Sequence, residues 1–109
     1  LLKEALEGEF SGEVILSFQS RFGPKKWLEP YTTDILAECA KGKAQNVMVM
    51  APGFPADCLE TLEELQVTEM KTFLEAGGKN YFVMPCLNDH PEHIQLLKQL
   101  ALGESHVEA

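Results

Sequence analysis

The chain has 109 residues, with 17 Asp and Glu against 9 Lys and Arg, and a formal net charge of −8. Hydrophobic residues make up 45% and charged residues 24%, the mixture of a folded globular domain and not of a disordered chain. The longest apolar runs, such as Val47 to Phe54, fall far short of the ~20 residues a membrane helix needs, so no transmembrane segment is expected. So acidic a chain also offers no positive face to nucleic acid.

The opening residues, Leu1-Leu2-Lys3-Glu4-Ala5-Leu6, read as the tail of a preceding helix reaching to about residue 10. Val14-Ile15-Leu16-Ser17-Phe18 is the first apolar, β-branched run and predicts a strand. Thr33 to Lys41 places Ile35, Leu36 and Cys39 toward one side of a helix, with Gly42 as its stop. Asn46-Val47-Met48-Val49-Met50 predicts a second strand, and Asp57 to about Glu75 a long helix ended by Gly77-Gly78. Tyr81-Phe82-Val83-Met84 predicts a third strand. Pro91 to Leu102 repeats Ile94, Leu97 and Ala101 at helical spacing and closes at Gly103, leaving 103–109 as a flexible tail.

Near-continuous apolar strands alternating with crossover helices predict an α/β domain of Rossmann-like type, one domain over 1–109. Its parallel sheet should have about three strands, with helices on both faces. A start in mid-helix without methionine, and so small a sheet, suggest part of a longer protein. Cys39, Cys58 and Cys86 are an odd set at wide spacings, which fits reduced thiols in a cytoplasmic protein better than a disulfide framework or a zinc site.

In open α/β sheets ligands gather beyond the carboxyl ends of the strands. The Gln19 to Thr32 loop is long for a strand-to-helix connection, usually about 2–6 residues, and holds the only Trp and the only Arg. A planar ligand could lie against Trp27, Phe22 and Tyr31, with Arg21 on a carboxylate. Equally, Trp27 could cap the core and Arg21 pair with a surface acid. In the second loop, Asp57 is placed to cap a helix, and Glu60 completes a capping-box spacing. Glu60 and Glu64 also stand at i and i+4, where stacked carboxylates attract a proton or a hard divalent cation. In the third loop, His90 and His93 near Asp89 and Glu92 have the spacing of a zinc or copper pair. Solvated histidines at a helix start, opened by Asn88 or Asp89, are the better reading. There is no dinucleotide fingerprint, phosphate-binding loop or nucleophile elbow.

Four blocks then carry a resemblance: Ser17-Phe18-Gln19-Ser20-Arg21-Phe22-Gly23 followed by Trp27-Leu28-x-Pro30-Tyr31-Thr32; Pro52-Gly53-Phe54-x-x-Asp57-Cys58-Leu59-Glu60-Thr61-Leu62-Glu63-Glu64; Gly77-Gly78-Lys79-x-Tyr81; and Pro85-x-Leu87-Asn88. In this order they resemble the C-terminal part of the bacterial ferrochelatase family, from about residue 10 to residue 102. The resemblance implies insertion of Fe²⁺ into protoporphyrin IX to form protohaem, a lyase step of haem biosynthesis, in a cleft between two similar Rossmann-like domains. It implies Glu60 as the catalytic proton acceptor and Trp27, Arg21, Tyr31 and Phe54 against the porphyrin. It also implies Glu60, Glu64 and Asp57 as the metal-handling acids, with Fe²⁺ as substrate.

The family's porphyrin-facing histidine lies ahead of this chain, and His90, His93 and His106 do not match it. Where some relatives extend the acidic ladder by a turn, this chain has Thr68, with Glu69 beside it. The three cysteines do not fit the iron–sulfur cluster of some relatives, and no permanently bound cofactor is expected. The partner implied is the missing N-terminal domain, without which the chain is expected to be inactive. A non-catalytic module that pairs with a second copy, as a homodimer, or binds a cation at its acidic helix is the alternative.

Overall fold

The computed structural model of the chain describes residues 1–20, 22–42 and 44–104. Helix α1 (Leu2–Glu9) buries none of its side chains. Helix α2 (Thr32–Lys41) buries Thr32, Leu36 and Ala40, a stripe four residues apart, and carries Asp34 in its first turn and Lys41 in its last, both favourable to the helix dipole. Strand β1 (Asn46–Val49) follows, then a helical segment of unusual winding, a π-helix over Glu60–Glu69, which runs on into α3 (Met70–Glu75). Strand β2 (Asn80–Val83) and helix α4 (Pro91–Leu102) complete the order.

β1 and β2 pair in parallel, with Val47 opposite Tyr81 and Val49 opposite Val83. Parallel pairing needs a crossover, and the π-helix with α3 supplies it. The inward face of the pair, Val47, Val49 and Tyr81, packs on Leu36, Ala40 and Phe73, the buried core. Phe73 is fully enclosed and meets the Tyr81 ring at 5.6 Å between centroids, tilted by 45°. A Cβ on Gly78 would collide with the Phe73 ring, so glycine there lets the chain pass directly over the core. Gly77 (φ +107°) ends α3 and Gly103 (φ +70°) ends α4, as the glycines after each helical pattern predict.

The α/β class and the parallel sheet are as expected, but two details are corrected. Among the described residues the sheet has two strands, not three. Val14–Phe18 joins no ladder: the Phe18 amide donates to the Pro30 carbonyl at 2.9 Å and the Phe18 carbonyl accepts from Thr32 at 2.9 Å, so the run closes its own loop as a lone bridge to Tyr31. The core residues of α2 and α3 pack on one face of the sheet. The other face presents Met48 and Phe82, 52% and 56% exposed. A Cα radius of gyration of 16.1 Å, against the ~13 Å typical of a domain this long, fits so much uncovered apolar surface.

Candidate active-site cleft

The loops leaving the ends of β1 and Val14–Phe18 converge on the first turns of the π-helix. π-Helices are rare, normally single turns, and concentrate at functional sites, so a ten-residue run is itself a marker. Thr61, Leu65 and Glu69, spaced by four, form its buried stripe. Glu60 and Glu64 run along the shoulder of that stripe, half-buried, and line a cleft of about 270 Å³ with Ser20, Phe22, Leu59 and Glu63. The carboxylate pair expected from the i, i+4 spacing therefore faces one cavity.

The two acids are held differently. Glu64 is clasped from the long loop: the Ser20 amide donates to Oε1 at 2.8 Å and the Ser20 hydroxyl to Oε2 at 2.6 Å. Ser20 takes φ +58°, which aims both donors the same way. Gln19 adds a bond from its side-chain amide to the Glu60 carbonyl at 3.3 Å. Glu60's own carboxyl is held below the ordinary carboxylate range by a hydrogen bond from the Cys58 side chain and one from its own backbone N–H. It is a charged group facing the cleft.

Asp57 does not join them. Its carboxyl is held low chiefly by the Asn88 side chain, then by the Thr61 hydroxyl, with Cys86 adding to both. The Asn88 amide donates to Oδ2 at 2.7 Å and the Thr61 hydroxyl to Oδ1 at 2.8 Å. With those oxygens occupied, Glu60, Glu64 and Asp57 do not form one metal-binding set. No group of three His, Cys, Asp or Glu able to hold a metal occurs among the described residues. The capping box also fails to form. The Asp57 N–H goes to Asn88 Oδ1 at 2.8 Å, and the Cys58 N–H is taken by the Thr61 hydroxyl at 2.9 Å.

The expected porphyrin-side residues are spread more widely. Trp27 is half-buried outside the cleft, its indole N–H donating to the Gln19 carbonyl at 3.2 Å, so it braces the loop that carries Ser20. Tyr31 forms the bridge to Phe18. Phe54 sits half-buried in the turn after β1, its amide bonded to the Ala51 carbonyl at 3.0 Å. Arg21 and His106 lie outside the described residues. Phe22, 83% exposed, is the aromatic that borders Glu60 and Glu64.

The histidines of the third loop each bond through Nδ1 to the backbone of their own turn. His90 opens α4 as its cap, accepting from the Glu92 amide at 3.3 Å, a place expected for Asn88 or Asp89. His93 is not solvated as expected but buried, donating through Nδ1 to the Asn88 carbonyl at 2.6 Å. The roles that sequence patterns did not assign are those of Ser20 on Glu64, Thr61 on Asp57 and Asn88 on Asp57. Each acts across a distance in sequence or through one hydroxyl, so no periodicity signals it.

Glu69, at the far end of the π-helix, is buried to 4% exposure. Its Oε1 accepts from the Thr33 hydroxyl at 2.5 Å, while Oε2 has no partner. Burial raises its carboxyl above the ordinary range, and Glu64 and Asp34 add to the rise. Tyr81, beside it, is raised too, by burial and then by Glu69, and donates its hydroxyl to the Leu65 carbonyl at 2.9 Å.

The chain matches the ferrochelatase family model over residues 1–105. A ferrochelatase of Francisella tularensis subsp. novicida (strain U112) is 56% identical over 98 residues, 89% of this chain and 29% of that relative. The ferrochelatase of Francisella tularensis subsp. holarctica (strain LVS) is 55% identical over the same share. The chain thus spans 29% of the length of the curated relatives it matches. With the match running through all four sequence blocks and across the paired carboxylates of the cleft, the chain belongs to the ferrochelatase family.

Proposed function

We propose that this chain is the acidic wall of an iron-inserting site that turns protoporphyrin IX into protohaem. The observation that carries the reading is the pairing of Glu60, ionised, with Glu64 along one cleft. Metal insertion replaces two pyrrole N–H bonds by nitrogen–iron bonds. Two protons leave, the iron remains Fe²⁺, and no electron is transferred. A carboxylate kept ionised at the macrocycle is the acceptor this step needs, and Glu60 is that acceptor. Glu64, pinned by Ser20, offers the next negative oxygen along the helix. It passes an incoming Fe²⁺ or an outgoing proton to or from Glu60 without a permanent site being built.

At about 270 Å³ the cleft is smaller than the roughly 300–1,000 Å³ usual for pockets that enclose a small molecule. The macrocycle therefore needs a second wall, which we assign to the remaining length of the relatives, including its porphyrin-facing histidine. Phe22, Trp27, Tyr31, Phe54 and Arg21 are the residues of this chain proposed to meet the ring edge and its carboxylates as that wall closes. Three free thiols suit a reducing, cytoplasmic setting.

A hybrid tests the reading: this chain replaces the corresponding 98 residues of the novicida relative, and haem formation is followed by absorbance. The hybrid should insert Fe²⁺, and Glu60→Gln should lower kcat by about a hundredfold or more. A Glu60→Gln hybrid of undiminished rate would overturn Glu60 as the acceptor. The chain by itself should form no haem.

A further inference from the structure

We propose that Asn88, on the loop after β2, is a positioning residue that fixes the first turn of the π-helix and through it the aim of Glu60. The inference rests on the reading of Glu60 given above.

Two strand-end loops must keep a fixed relation if Glu60 is to face the cleft, and Asn88 joins them by three bonds. Its backbone N–H donates to the Pro55 carbonyl at 2.9 Å. Its side-chain oxygen accepts the Asp57 N–H at 2.8 Å, and its side-chain nitrogen donates to Asp57 Oδ2 at 2.7 Å. The partners dictate the amide's orientation, because an N–H can only donate and a carboxylate can only accept. Of residues this size only asparagine supplies both roles at once. Aspartate would face the Asp57 carboxylate with a like charge, and alanine would leave both partners empty.

The residue is also braced from behind. Asn88 adopts φ +48°, a region asparagine tolerates better than most side chains, and the buried His93 ring donates to its carbonyl at 2.6 Å. From Asp57 the bonds continue inward. Asp57 Oδ1 receives the Thr61 hydroxyl, the Thr61 oxygen receives the Cys58 N–H, and the Cys58 carbonyl accepts the Leu62 N–H at 2.8 Å, closing the turn that carries Glu60. Asn88's hydrogen bonds go to Pro55, Asp57 and His93, none of them a residue lining the cleft, so its influence on Glu60 runs through Asp57, Thr61 and Cys58.

The test uses Asn88→Ala, and a double exchange, Asp57→Asn with Asn88→Asp, which rebuilds the reciprocal pair with its ends reversed. In the chain, amide hydrogen exchange at Asp57 and Cys58 should speed up about tenfold or more in Asn88→Ala, with β1 and β2 amides unchanged. The double exchange should restore protection. In the hybrid, Asn88→Ala should lower kcat about tenfold with KM nearly constant, and the double exchange should recover most of it. Unchanged exchange at Cys58 in Asn88→Ala, or a double exchange that restores nothing, would overturn the proposal. If Glu60→Gln leaves the hybrid fully active while Asn88→Ala still frees the Cys58 amide, the reading of Glu60 fails and the clamp stands as a structural one only.

Discussion

Ser20 and Glu64, 44 positions apart, meet as a two-point clasp in which one residue's amide and hydroxyl satisfy both oxygens of the other's carboxylate, at 2.8 and 2.6 Å. Charge-assisted bonds of this kind are stronger than neutral ones, and here they fasten a long loop to the π-helix beside the cleft.

Ser20→Ala keeps the backbone bond and loses the shorter one. Because the site is only half-buried, the cost should be about 1 kcal/mol. The local effect should be larger, since Trp27 hangs from the neighbouring Gln19 carbonyl at 3.2 Å. Acrylamide quenching of the single tryptophan should rise in Ser20→Ala, and unchanged quenching would mean that the loop is held elsewhere.

Glu69 sets a pH dependence of definite sign. Burial raises its folded carboxyl above the unfolded value, so the folded state binds this proton more tightly. The contribution is fully favourable at low pH and is lost as pH rises from the ordinary carboxylate range through the raised folded value. Asp57 and Glu60, both lowered, act oppositely: their stabilisation is present above the ordinary range and is lost as pH falls through their depressed values. Glu69→Gln should be more stable than the native chain near neutral pH, by on the order of 1 kcal/mol. The advantage should vanish on acidification. Melting temperatures of the two proteins across that range check this, and a gain that grows toward acid would contradict it.

The core should be intolerant at Phe73. Phe73→Ala removes the ring joining α2 to the inward face of β1 and β2, and should cost about 3–5 kcal/mol, enough to unfold a marginal chain. Gly78→Ala should also destabilise, because its new methyl group meets that ring. In Phe73→Leu the obstacle shrinks, so adding Gly78→Ala should cost less than it does in the native chain. Equal costs in both backgrounds, measured by urea unfolding, would exclude the collision.

Met48 and Phe82 leave an apolar sheet face open to water, and surfaces of this kind associate. The isolated chain should show concentration-dependent self-association by sedimentation. Phe82→Lys should reduce it while leaving the inward face of β2 undisturbed. A monomer at every concentration would mean that the face is too small to drive pairing.

The helix boundaries were legible because their signals are local. Pro91 and Gly103 bracket α4 as read, and Thr32 extends α2 by one residue beyond its expected start. The parallel pair of strands was legible from continuous apolar runs. The strand expected at Val14–Phe18 did not form, since β-branched composition says nothing about whether a neighbour stands at the strand's edge. At the cleft, the i, i+4 spacing identified Glu60 and Glu64, yet the capping-box spacing made Asp57 a cap with Glu60. Only the fold reveals that Asn88, 31 positions away, takes the Asp57 amide first. Likewise a helical period does not betray π winding, whose i→i+5 bonding leaves no mark in hydrophobic spacing over ten residues.

With two strands, every strand is an edge. β1 and β2 each keep one side free of any partner strand among the described residues. Such edges are templates for strand addition. The chain is thus suited to complementation in trans: a strand carried by a separate polypeptide can add to either margin without a covalent link.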